Sequence, residues 1–188
     1  AAICKKFSVE NGLSYAPEQI VVGCGAKHSI YNLIQVLCNR SDEVIIPTPY
    51  WVSYPEMVKL ADATPVFVKT EEATGFKLRP EDLKRNTTAK TKVLVLNSPS
   101  NPTGTVYTKE ELSWIAEWAV KHNVFVISDE IYEKLLYDGA EHVSIAGLNA
   151  DIFQRTIVVN GVSKAYAMTG WRIGYFAGPV DVAKAVTL

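Results

Sequence analysis

Five short segments of this 188-residue chain carry side chains suited to chemistry, and each follows an apolar, β-branched run. Gly23-Cys24-Gly25-Ala26-Lys27 is a small-residue turn opening a helical pattern. Free N–H groups and the helix dipole favour an anion at such a turn. Tyr50-Trp51 offers two aromatic faces in a proline-bounded loop, and Asn97 to Gly104 reads NSPSNPTG. Ser128-Asp129-Glu130-Ile131-Tyr132 and Ser163-Lys164 complete the set, with Arg172 shortly beyond. A lysine amine is a nucleophile when neutral, and burial lowers its pKa. Arginine grips a phosphate with a planar fork that lysine lacks.

Taken singly, each residue has an ordinary use. The Gly25 turn serves equally as a plain strand-to-helix connection, Trp51 as a core aromatic and Asn101-Pro102 as a turn signal. Asp129 reads as a helix cap, Lys164 as a solvated lysine, and Arg172 as half of a surface ion pair. His122 and His142 read as helix-end and loop residues, and Cys24 and His28 as no catalytic dyad. Only the convergence of the five segments points to a site.

The elements that must position them are legible. Apolar runs recur at Ile20–Val22, Val44–Ile46, Pro65–Val68, Val93–Leu96, Val124–Ile127, Thr156–Val159 and Ile173–Phe176. Most are continuous rather than alternating, the pattern of strands buried on both faces. Helical spacing lies between them. Ile30, Leu33, Ile34 and Leu37 share a face, Thr108 to Glu111 forms a capping box ahead of a helix to His122, and Pro80 opens a short helix. Strands alternating with helices predict an α/β fold, three layers with a mostly parallel sheet of about seven strands. Ligands in such sheets bind beyond the carboxyl ends of the strands, where all five segments fall.

Composition sets limits. With 19 Lys+Arg against 20 Asp+Glu, a net charge of -1 leaves no electrostatic footprint for nucleic acid or a membrane surface. No apolar run approaches bilayer-spanning length. Three cysteines without C-x-x-C or a nearby His pair argue against a disulfide framework and a zinc site, so no metal and a cytoplasmic location are expected.

The stretch Ser163 to Arg172, SKAYAMTGWR, resembles the lysine signature of the class I aminotransferases, which use pyridoxal 5'-phosphate. NSPSNPTG and SDEIY resemble two further signatures of that family in the same order, and PYWVSYPEM (49–57) is typical of its bacterial aspartate/prephenate subgroup. The resemblance spans the whole chain. It implies that Lys164 forms the Schiff base with the cofactor and shuttles a proton, and that Asp129 sits against the pyridine nitrogen. By the same resemblance Asn101 and Tyr132 bond the phenolic oxygen, and Trp51 stacks on the ring, with Tyr50 as the alternative. The backbone N–H groups of Gly25, Ala26 and Lys27, the Ser163 hydroxyl and Arg172 hold the phosphate. Trp51 and Asn101 also face the substrate. Relatives often carry Asn at Cys24 and Gln at His28, changes that leave backbone contacts intact. Asn101-Pro102 and Ser98-Pro99 are expected to be cis.

The resemblance further implies a truncated cofactor-binding large domain, 1–188, without the N-terminal segment and C-terminal small domain that complete a dimeric enzyme. Arg172 is expected to begin a last strand that returns antiparallel. The expected activity is transamination of L-aspartate, or a related amino acid, with 2-oxoglutarate by a homodimeric parent, the fragment alone being inactive. An aromatic or prephenate aminotransferase and a β-lyase share the same cofactor-facing residues. A non-catalytic sensor domain is the distant alternative.

Overall fold

Val93, Val95 and Ile127 belong to one buried cluster, while Leu94, Leu96 and Val126 belong to another. Successive strand residues point to opposite faces, so both faces are covered and the apolar runs are continuous. The computed structural model describes residues 1–188. Its seven strands are β1 (Ile20–Gly23), β2 (Glu43–Thr48), β3 (Thr64–Lys69), β4 (Thr91–Asn97), β5 (Phe125–Asp129), β6 (Thr156–Gly161) and β7 (Gly174–Ala177). They form one sheet in the order β1-β7-β6-β5-β4-β2-β3. β7 alone runs antiparallel, against both β6 and β1. The carboxyl ends of β1, β2, β4, β5 and β6 therefore share one rim.

Helices α2 (Ala26–Leu37), α3 (Ser53–Leu60) and α7 (Val180–Thr187) cover one face through Ile30, Leu33, Met57, Val58 and Val182. Helices α4 (Pro80–Asn86), α5 (Lys109–His122) and α6 (Ala150–Phe153) cover the other through Leu83, Leu112, Ile115 and Ile152. Each such side chain contributes roughly 1.5–3 kcal/mol on burial. Helix α1 (Ala2–Asn11) sends Phe7 into a third cluster with Tyr15, Val158 and Tyr175. The capping box of α5 is present, with Thr108 N–H donating to Glu111 Oε2 at 2.7 Å and Glu111 N–H to Thr108 Oγ1 at 3.3 Å. Asn123 ends that helix in the left-handed conformation at φ 57°.

Two apolar runs are not buried on both faces. β1 and β3 are the sheet edges, and Val22 and Phe67 are 58% and 46% exposed. A β-branched run reports strand preference, not position in the sheet. Asn101-Pro102 and Ser98-Pro99 are cis as expected, and Thr48-Pro49 is a third cis bond.

Candidate active site

Asp129 ends β5 and is the register partner of Asn97, which ends β4. Only 3% of Asp129 is exposed. Its Oδ2 accepts from the Tyr54 hydroxyl at 2.6 Å, and its Oδ1 accepts from Ile131 N–H at 3.3 Å. Burial raises the proton affinity of this carboxyl, the two donors lower it, and the neighbouring Glu130 charge raises it again. The carboxyl is pushed up to about 6. Burial, then the Asp129 charge, hold the Tyr54 hydroxyl well above its ordinary value, so it stays a donor.

Asn97 fastens the next segment. Its Nδ2 donates to Asp129 O at 2.9 Å, and its Oδ1 accepts from Asn101 N–H at 2.7 Å. One side chain thus ties the β4 loop to the end of β5 and places Asn101 beside Asp129.

The turn after β1 is shaped by two glycines. Gly25 has φ +87°, and a Cβ there would lie 2.4 Å from Arg172 Nη2. A Cβ on Gly174 would lie 2.2 Å from Ala26 N, so β7 reaches the turn only because residue 174 has no side chain. The Gly25 N–H donates to Gly23 O at 2.9 Å and is therefore not offered to an anion, contrary to expectation. Gly25 caps α2 with no side-chain bond, which leaves the N–H groups of Ala26 and Lys27 as the open donors of the first turn. Arg172 donates to Thr169 O at 3.0 Å and to Cys24 O at 3.4 Å, which fixes its guanidinium against this turn. It lies two residues before β7, in the left-handed conformation at φ 53°, rather than beginning that strand.

Trp51 and Tyr50 part company. Tyr50 stacks on Phe67 at 5.2 Å, whereas Trp51 sits edge-on to Tyr54 at 5.3 Å with Lys27 Nζ 4.8 Å from its ring centroid. Lys164 Nζ lies 5.7 Å from the centroid of Tyr132. Lys164 is exposed in this chain.

Trp51, Asn101, Asp129, Tyr132, Ser163, Lys164, Arg172, Ala26 and Lys27 line one cavity of about 270 Å³. All five rim segments converge there, and Gly25 stands behind the wall. Tyr54, Asn97, Ile131 and Thr169 also line it and escaped the sequence reading. Asn97 lies inside the recognised motif. Tyr54 carries only a helix-face signal, because α3 buries it beside Met57 and Val58. His142 lies in a loop as expected, and there its Nε2 is 2.9 Å from Glu130 Oε2 and its side chain is 9% exposed.

The cavity therefore joins a buried carboxyl, an aromatic wall, an amine and a helix-opening turn with open N–H donors. The family model for aminotransferase class I and II matches residues 1–188. The chain is 56% identical over 185 residues to an aspartate aminotransferase of Geobacillus stearothermophilus, covering 98% of this chain and 47% of that protein. It is 51% identical to an aspartate/prephenate aminotransferase of Cereibacter sphaeroides, covering 98% and 46%. The solved structure of Thermus thermophilus aspartate aminotransferase with maleate superimposes with a TM-score of 0.94 at 50% identity, covering 98% of this chain and 47% of that one. The chain thus spans about half the length of the curated relatives it matches. On sequence and fold together, the chain belongs to the class I and II aminotransferases.

Proposed function

We propose that this chain is the cofactor-binding large domain of an aminotransferase, that it seats pyridoxal 5'-phosphate, and that the complete protein transfers the amino group between L-aspartate and 2-oxoglutarate. The observation that carries the reading is the donor set of one cavity. Asp129, buried and raised to about 6, is a suitable anion for a protonated ring nitrogen. Ala26 and Lys27 N–H, the Ser163 hydroxyl and Arg172 suit a phosphate. Trp51 suits a ring face, and Asn101 and Tyr132 suit a phenolic oxygen. When bound there, the cofactor supplies a carbonyl that captures amines and a ring that withdraws electrons from carbon.

This chain's residues do the rest. Lys164 would hold the cofactor at its carbonyl carbon, and its amine, when free, would take the proton from the substrate α-carbon and return it. Asp129 keeps the ring nitrogen protonated, with Tyr54 fixing the carboxylate. Trp51 and Asn101 exclude water and orient the amino acid. Specificity for aspartate is favoured by the names of the relatives and by maleate, a dicarboxylate, in the Thermus structure.

The reading extends to a cytoplasmic homodimer in which the remaining sequence and a second subunit close the site. It is supported by three free cysteines and by Tyr166 and Trp171, 53% and 69% exposed beside Lys164 and Arg172. Adding pyridoxal 5'-phosphate to the chain should shift the cofactor's absorbance, and Lys164→Ala should abolish that shift. An unchanged shift in the variant sinks the assignment. In the complete protein, aspartate should outcompete aromatic donors and prephenate. The reverse order would favour the aromatic or prephenate reading.

A further inference from the structure

The end of β5 buries three carboxyl groups within five residues. Asp129, Glu130 and Glu133 are 3%, 1% and 4% exposed. Asp129 faces the cavity. Glu130, the next residue, points to the opposite side of the sheet, as does Ser128. There Glu130 Oε1 accepts from Ser128 Oγ at 2.9 Å and from Ser144 Oγ at 2.7 Å, and Oε2 lies 2.9 Å from His142 Nε2. His142 Nδ1 is buried without a partner. The Nε2 side of the ring is therefore the one engaged with Glu130. Three donors stabilise the charged form of a carboxylate.

Glu133 is a different case. Lys6 forms an ion pair with it, and Asn11 Nδ2 donates to it at 2.9 Å. Burial pushes its carboxyl up, but these partners outweigh burial and hold it below the ordinary range. Glu130 has three donors and no Lys or Arg in contact, and it lies one residue from Asp129, across the thickness of one strand.

We propose that Glu130 is a positioning residue for Asp129, a buried anion locked by Ser128, Ser144 and His142 whose charge strengthens the grip of Asp129 on a ligand cation. The groups facing the pair are few. Tyr54 on α3, Lys27 on α2, Tyr132 beyond β5, Lys164 beyond β6 and Arg172 before β7 lie on the Asp129 side. His142 and the Tyr15 hydroxyl, which is raised first by burial and then by the Glu130 charge, lie on the Glu130 side, with the Lys6–Glu133 pair beyond. No Lys or Arg is in contact with Glu130, whose only side-chain partners are Ser128, Ser144 and His142. The Glu130 charge is one of the causes that raise Asp129.

For function the inference rests on Asp129 facing a protonated ring nitrogen, but its test needs no cofactor. Titrating the Asp129 carboxyl carbon by NMR in the cofactor-free chain should show its midpoint fall by about one unit in Glu130→Gln. The midpoint should stay near the parent value in Glu130→Asp, which keeps the charge. An unmoved midpoint in Glu130→Gln overturns the proposal. If that variant does not fold, Glu130→Ala decides: the Asp129 midpoint must fall there too, and an unmoved midpoint overturns the proposal as well. In cofactor titrations Glu130→Gln should weaken binding about tenfold. If the parent chain takes up no cofactor, the reading of the site fails while the Asp129 midpoint still decides the role of Glu130.

Discussion

The Tyr54 hydroxyl donates to Asp129 at 2.6 Å across 75 residues of sequence, with both groups buried. This bond joins the helix that carries Trp51 at its approach to the strand end beneath the cavity. It also constrains the carboxylate on one side, leaving Oδ1 with only the Ile131 N–H. The buried carboxyl is thereby kept in one orientation.

Removing that hydroxyl with Tyr54→Phe should raise the Asp129 midpoint above about 6, since the Tyr54 donor is one of the two groups that lower it. A hydrogen bond to a charged group contributes about 1.5–3 kcal/mol, against about 1 kcal/mol for a neutral one. The variant should therefore lose more stability at pH 8, where Asp129 is charged, than at pH 5. Equal losses at both values would show that the bond does not favour the charged carboxylate.

Asp129→Asn should change how stability depends on pH. The folded carboxyl sits at about 6 against an ordinary value of 3.8, so between those values the folded chain keeps a proton that the unfolded chain has lost. The contribution of this group therefore falls as pH rises through that window, by about 3 kcal/mol. Denaturant unfolding should show the variant gaining on the parent by that order between pH 4 and pH 7, while cofactor binding is lost. A constant difference across the window would refute the raised carboxyl.

Gly174→Ala should damage the turn that opens α2 without removing any polar side chain. Its Cβ would fall 2.2 Å from Ala26 N and from the Gly25 carbonyl carbon, so the turn must retreat. The expected loss is about 2–3 kcal/mol of stability together with weaker cofactor binding. Thermal unfolding and a cofactor titration measure the two. Near-normal values in both would mean the turn yields freely.

Lys6→Met should destabilise the cofactor-free chain by about 3–5 kcal/mol at neutral pH, because it strands the buried Glu133 carboxylate. The two side chains are 12% and 4% exposed. Glu133 is held below its ordinary value, so its contribution is present above that value and lost as pH falls through the lowered one. The difference from the parent should shrink in acid, as followed by denaturant unfolding at pH 3 and pH 7.

Much of this molecule is legible in its sequence. The apolar runs give all seven strands, and the Thr108 box gives the start of α5. Continuous runs followed by polar turns put Gly25, Trp51, Asn101, Asp129 and Lys164 on one rim before any coordinates are consulted. Periodicity and turn chemistry are local properties, and a parallel sheet translates strand ends directly into proximity.

What only the tertiary structure decided are the bonds between elements. Tyr54 reads only as one residue of the PYWVSYPEM stretch until the packing of α3 aims its hydroxyl at Asp129. Gly25 reads as a donor until its N–H is found bonded to Gly23, and His142 as a loop residue until the chain folds it under Glu130. Sequence determines which faces are buried, because burial follows the hydrophobic pattern. Which polar atoms meet within the buried space depends on helix rotation and on ångström-scale approaches such as Gly174 against Ala26, and these emerge only when the layers pack.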